Sequence, residues 1–157
     1  MLDIRVNGAK ILLSITILAF GADCQANENY PAQPLSIIYT FKEANTKSIY
    51  LSDEQGKVRI KVVDVTTNDG YPAVSPSGKQ IAFYAKYDNQ QTWSIHTADM
   101  DGKNIRRFTN VENIWDSAPA WSPDGKTIAF AREYENVNGD WQEEIWFMNA
   151  EGLSNAK

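Results

Sequence analysis

Aromatic rings and carboxylates interleave in the stretches that hold Tyr87, Trp115, Asp116, Glu133, Tyr134, Glu135, Asp140 and Trp141. Through stacking, cation–π contact and hydrogen bonding, such a set can grip a basic peptide segment, a cation or a sugar ring. These residues are therefore the expected binding surface. A pair of the same carboxylates could also act as acid and base on a glycoside, but no pocket that would position such a pair is evident in the sequence.

Other chemistry finds few members. His96 is the single histidine, and although an imidazole can serve as a base or a metal ligand, it stands where Tyr50 and Trp146 stand in related segments, so a packing role is expected. The chain contains no G-x-S-x-G segment, zinc-type Cys/His spacing, EF-hand loop or phosphate-cradling glycine loop. No catalytic residue, metal or cofactor is predicted. The formal net charge of −5 argues against nucleic acid as a partner, because phosphate backbones recruit clustered Lys and Arg.

What must position the aromatic and acidic residues is a repeat. Tyr71-Pro72-Ala73-Val74-Ser75-Pro76-Ser77-Gly78-Lys79-Gln80-Ile81-Ala82-Phe83 returns 47 residues later as Ala118-Pro119-Ala120-Trp121-Ser122-Pro123-Asp124-Gly125-Lys126-Thr127-Ile128-Ala129-Phe130. A second element, Ile49-Tyr50 through Gly56, returns as Ile95-His96 through Gly102 and as Ile145-Trp146 through Gly152. Short strands repeating about every 40–50 residues belong to propeller-like arrays.

One period reads as four strands, at Tyr71–Ser75, Gln80–Ala85, Thr92–Ala98 and Ile105–Thr109. The second is apolar on both faces, as in a sheet covered on each side. Pro76 presets φ and Gly78 accepts a positive φ in the first turn, and Asp101-Gly102 marks a hairpin. The same grammar predicts strands at Ser36–Thr40, Ser48–Leu51 and Val58–Val62, and at Ala118–Ser122, Thr127–Arg132 and Glu143–Asn149. A degenerate opening strand is expected around Tyr30–Ala32. Ser77, Asp124, Asp53, Asp99 and Asn149 are read as turn-stabilising acceptors, and Trp121 and Trp146 as packing between repeats.

Alternating strand directions divide the connections between two ends. Uniform turns at Ser75–Gly78, Asp99–Gly102 and Ser122–Gly125 share one end. The other carries Lys42–Lys47, Tyr87–Gln91, Val111–Ser117 and Glu133–Gln142, read as unequal loops of the kind that carries recognition.

Ahead of the repeats, Arg5 and Lys10 precede an apolar run from Ile11 to Ala22. The run is too short for a stable membrane anchor and has the form of a secretory signal helix, with cleavage after Ala26. Residues 1–26 are thus expected to be removed and 27–157 to form the mature domain, periplasmic or secreted. Lipid attachment at Cys24 is disfavoured by Asp23, where a small residue would stand.

Pro119 to Phe130 followed by Ile145-Trp146-Phe147-Met148-Asn149-Ala150-Glu151-Gly152 resembles the TolB-like, WD-type propeller repeat of bacterial envelope proteins. The resemblance implies an all-β chain: an incomplete β-propeller of nearly three four-stranded antiparallel blades after the signal helix. The α/β domain that precedes the propeller in TolB has no counterpart before Asn27, so the role in the Tol system is not implied. The expected function is that of an exported, non-catalytic binding module for an envelope or secreted protein. Alternatives are a substrate-gating propeller fragment of a prolyl-oligopeptidase-type peptidase and a carbohydrate-binding propeller. Self-association of two copies into a six-bladed ring would bury the open sheet edges.

Overall fold

A computed structural model describes residues 37–86 and 92–152, together with the backbone of short strands at 2–6, 9–13, 16–17 and 155–156. The strands are β1 (Leu2–Val6), β2 (Ala9–Leu13), β3 (Thr16–Ile17), β4 (Ile37–Glu43), β5 (Thr46–Ser52), β6 (Arg59–Val63) and β7 (Asp69–Val74). They continue with β8 (Gln80–Lys86), β9 (Trp93–Asp99), β10 (Arg106–Arg107), β11 (Ile114–Trp121), β12 (Thr127–Glu135), β13 (Trp141–Asn149) and β14 (Asn155–Ala156).

Three antiparallel meanders result: β3-β4-β5-β6, β7-β8-β9-β10 and β11-β12-β13-β14. We call them blades 1, 2 and 3. Successive blades touch at matched places. Lys47 of β5 bridges Asn68, just ahead of blade 2, in parallel fashion, and Trp93 of β9 bridges Trp115 at the start of blade 3 in the same way.

Between blades the apolar faces meet. Ile38, Ile49, Leu51 and Val63 of blade 1 pack on Ile81, Phe83, Ala85 and Ala98 of blade 2. Ala82, Tyr84 and Ile95, from the other face of blade 2, pack on Ile128, Phe130 and Met148 of blade 3. Both faces of β8 are thus buried, as its unbroken apolar run from Ile81 to Ala85 requires. Trp121 and Trp146 border the second cluster, and the Trp121 indole N–H donates to the Ala73 carbonyl across the blade boundary at 3.1 Å.

The turns follow their residue types. The Ser122 hydroxyl and the Lys126 N–H both donate to Asp124, at 2.6 and 3.0 Å, and these bonds hold the Asp124 carboxyl below its usual range. Asp53, Asp99 and Asn149 likewise accept bonds from Lys57, Asn104 and Glu151 within their own turns. The first strand of blades 2 and 3 carries a repeated β-bulge, between Gly70 and Ala73 and between Ser117 and Ala120. At each bulge the residue before proline, Tyr71 or Ala118, has φ of 49°.

Gly102 combines a φ of 78° with a close approach: a Cβ there would collide with the Val62 carbonyl of blade 1. Gly56 has a φ of 69° and open space around it. Both alanine variants incur the left-handed strain of roughly 1–2 kcal/mol, so Gly102→Ala is expected to cost clearly more than Gly56→Ala in urea unfolding. Equal losses would show that the blade 1 contact gives way freely.

Several sequence expectations change. β12 runs to Glu135 and β13 starts at Trp141, so Glu133–Gln142 is two lengthened strands around a short turn rather than a loop. β11 starts at Ile114, which makes Trp115, Asp116 and Ser117 strand residues, and Lys42–Lys47 closes as a hairpin at Ala44–Asn45. The fourth strand of blade 2 shortens from Ile105–Thr109 to Arg106–Arg107. The opening strand expected at Tyr30–Ala32 lies outside the described residues, and β4 pairs instead with β3. Within residues 1–26, expected as a signal segment, only the backbone of β1, β2 and β3 is described. The rest of residues 1–26, including the cleavage site, lies outside the described residues.

Candidate binding surface on the extended third blade

Register decides which of the candidate residues meet. Trp115 pairs with Glu133 across β11 and β12, Glu133 with Glu143 across β12 and β13, and Glu135 with Trp141 one step further out. Strand alternation then sets Trp115, Glu133, Glu135, Trp141 and Glu143 on one face of the blade. The indoles of Trp115 and Trp141 touch, with ring centroids 4.9 Å apart and planes inclined at 56°. Trp141 remains 60% exposed. Asp140 is exposed in the turn, where its N–H donates to Asn136 Oδ1 at 3.0 Å.

The other candidates go elsewhere. Tyr134 lies on the opposite face, level with Ile114 and Gln142. Tyr87 falls outside the described residues. Asp116 is buried and accepts two bonds from Arg132, Nε to Oδ1 at 2.7 Å and Nη2 to Oδ2 at 2.8 Å, so its carboxylate is turned inward rather than offered at the rim. The Arg132 guanidinium also lies 4.2 Å from the Trp146 ring centroid.

Glu143 is missing from the sequence-derived set. Alternation from Trp141 would have placed it, had β13 been started two residues earlier. Like charges directly opposite one another on adjacent strands are destabilising, and Glu133 and Glu143 are such a pair. Among the described residues, no ion pair neutralises Glu133, Glu135 or Glu143. The surface thus combines two indoles with a row of uncompensated carboxylates, which suits a cationic or basic ligand.

At the same end of blades 1 and 2, a cavity of about 380 Å³ is lined by Lys42, Asn45, Lys47, Thr67, Asn68 and Lys86. Burial, reinforced by Lys42, lowers the Lys47 pKa. His96 sits in the core, stacked on Phe83 with centroids 5.5 Å apart. Its Nδ1 is 3.0 Å from the Ser94 carbonyl, and the ring is fully buried. Among the described residues no group of His, Cys, Asp and Glu is arranged to hold a metal ion.

Solved structures share this arrangement. A protein designated TolB from Agrobacterium tumefaciens superposes with a TM-score of 0.66 at 22% identity, over 76% of this chain and 43% of its own. TolB from Acinetobacter baumannii gives 0.59 at 25% identity, over 76% and 28%. The β-propeller domain of the Trilobed protease from Pyrococcus furiosus gives 0.51 at 19% identity, over 77% and 37%. This chain therefore spans less than half the length of each. No protein-family model and no curated relative matches the sequence. The described residues have the all-β blade architecture of the TolB β-propeller.

Proposed function

We propose that this chain is a non-catalytic β-propeller binding module that is exported and engages an envelope or secreted protein through the extended end of blade 3. The observation that carries this reading is the Trp115–Trp141 pair framed by Glu133, Glu135 and Glu143, which no cation among the described residues pairs with. A basic segment of a partner would supply that balance while its side chains stack on the indoles.

The test is capture from envelope extract. The Trp115→Ala/Trp141→Ala chain is expected to lose most of its catch, and the catch of the parent to fall with added salt, since exposed charges are screened. Trp141 is exposed, whereas Trp115 is half-buried and in ring contact with it, so Trp141→Ala alone should lower the unfolding free energy by no more than about 1 kcal/mol, and most of any loss in the double variant should come from Trp115. A large stability loss would assign the indoles to packing, and an unchanged catch would remove them from the contact.

A second reading follows from the similarity to the Trilobed protease propeller: a gating propeller that accompanies a peptidase. Coding sequence for a G-x-S-x-G hydrolase in frame beyond Lys157 would favour it over the binding module. Further blades alone would count against it.

A further inference from the structure

The two contacts between blades follow one plan and part company at one end. On the side of blade 1 that packs on blade 2, the cross-strand pairs run Ile38 with Leu51, Thr40 with Ile49, and Lys42 with Lys47. On the side of blade 2 that packs on blade 3, the matching pairs are Ala82 with Thr97, Tyr84 with Ile95, and Lys86 with Trp93. The last residue of each series bridges the next blade in parallel: Trp93 meets Trp115, and Lys47 meets Asn68. Between blades 2 and 3 that end is aromatic, with Trp93 stacked on Tyr84 at 4.9 Å. Between blades 1 and 2 it is polar, and there lies the cavity of about 380 Å³ lined by Lys42, Lys47, Lys86 and their neighbours.

The cavity is short of negative charge. Lys42 and Lys47 stand directly opposite one another, an arrangement that destabilises a sheet when both are charged, and Lys86 adds a third ammonium at the same place. Among the described residues, no carboxylate pairs with any of the three. Burial and the Lys42 charge both lower the Lys47 pKa. The backbone around them is tied at one point: the Lys47 N–H donates to the Thr67 carbonyl at 2.9 Å and the Lys86 N–H to the Asn68 carbonyl at 3.1 Å. The lysines are thus anchored before a ligand arrives, which lowers the ordering cost of binding.

We propose that this cavity binds a phosphoryl group, as a phosphate monoester or inorganic phosphate. Lysine ammoniums act on phosphate as point charges, without the planar fork that arginine offers to a carboxylate. A carboxylate brings a single charge to three ammoniums. A phosphate monoester brings a charge of about −1.5 to −2 and three acceptor oxygens, enough to serve all three lysines at once, and Asn45 and Asn68 place amide groups at the same cavity. The site goes beyond the partner-binding reading and does not depend on it, because it is built from blades 1 and 2 rather than from the extended end of blade 3.

Calorimetric titration of the full chain with glycerol 3-phosphate, alongside co-sedimentation with phosphatidylcholine vesicles that contain phosphatidic acid, tests the proposal. Saturable binding to at least one probe is expected, and which of them binds tells whether the phosphoryl group is soluble or borne on a lipid. In either arm Lys47→Gln should weaken binding about tenfold or more, the loss of one charge-assisted contact. Lys42→Gln should weaken it as well. Lys42 is exposed and its removal relieves a like-charge pair, so urea unfolding should find that variant at least as stable as the parent. Lys126→Gln, beside the exposed turn at the other end of blade 3, should bind as the parent does. Failure of both probes to bind, binding unchanged in Lys42→Gln and Lys47→Gln, or acetate binding as tightly as glycerol 3-phosphate would overturn the proposal.

Discussion

Asp116→Asn is expected to destabilise the chain by about 3–5 kcal/mol, the usual cost of stranding one member of a buried ion pair. Asp116 and Arg132 sit opposite one another on β11 and β12, both buried and joined by two short bonds. Asparagine keeps the shape but leaves the Arg132 guanidinium uncompensated against Phe130 and Trp146. The matched position in blade 2 shows another solution. Asp69, equally buried, faces Ala85 across the strands and is satisfied by Val65 N–H, Thr66 N–H and the Thr66 hydroxyl, at 2.7, 3.1 and 2.7 Å. Combining Asp116→Ala with Arg132→Ala should therefore cost less than the two single substitutions added together, with a coupling of roughly 2 kcal/mol or more in urea unfolding. Were Asp116 a contact for a partner, Asp116→Asn would instead reduce capture and leave stability unchanged.

How Asp116 reads in the sequence shows what the residues do and do not announce. The repeat, the turns at Ser75–Gly78 and Ser122–Gly125 and the double-sided burial of β8 follow from residue type and spacing, because proline, glycine and alternating apolar positions act locally. The aspartates at 69 and 116 obey the same offset of 47 residues as the rest of the repeat, three positions ahead of Pro72 and Pro119. Their burial was nonetheless hidden, since it depends on a partner in another strand. An arginine at 132 against an alanine at 85 decides whether the carboxylate finds a cation or a local turn.

Strand length was hidden for a similar reason. Glu133, Tyr134 and Glu135 are polar or aromatic and look like loop, yet register continues through them because β13 runs alongside as far as Trp141. That extension is what brings Trp115, Trp141 and Glu143 to one face. Composition revealed an aromatic and acidic region, but only pairing across β11, β12 and β13 separates the residues that meet there from Tyr134 and Asp116, which face the other way.

Acidification is expected to weaken the fold through His96, by about 3 kcal/mol between pH 6.5 and pH 4. Burial pushes the imidazole pKa down from 6.5 to about 4; the contact with the Ser94 carbonyl opposes the shift and the Arg107 charge adds to it. Below pH 6.5 the unfolded chain takes up a proton that the folded chain refuses until about pH 4. The unfolded state therefore binds more protons across that window, and stability falls as pH falls. His96→Phe should flatten the profile, because the register equivalents Tyr50 and Trp146 show that an uncharged ring fits this slot. Asp69 acts in the opposite sense: burial raises its folded pKa, so the stability it lends is present at low pH and lost as pH rises through that pKa. Asp69 is common to both chains, so the difference between parent and His96→Phe in urea unfolding isolates the imidazole. Parallel profiles would mean that His96 charges inside the fold without penalty, and that the Phe83 stack opens to water.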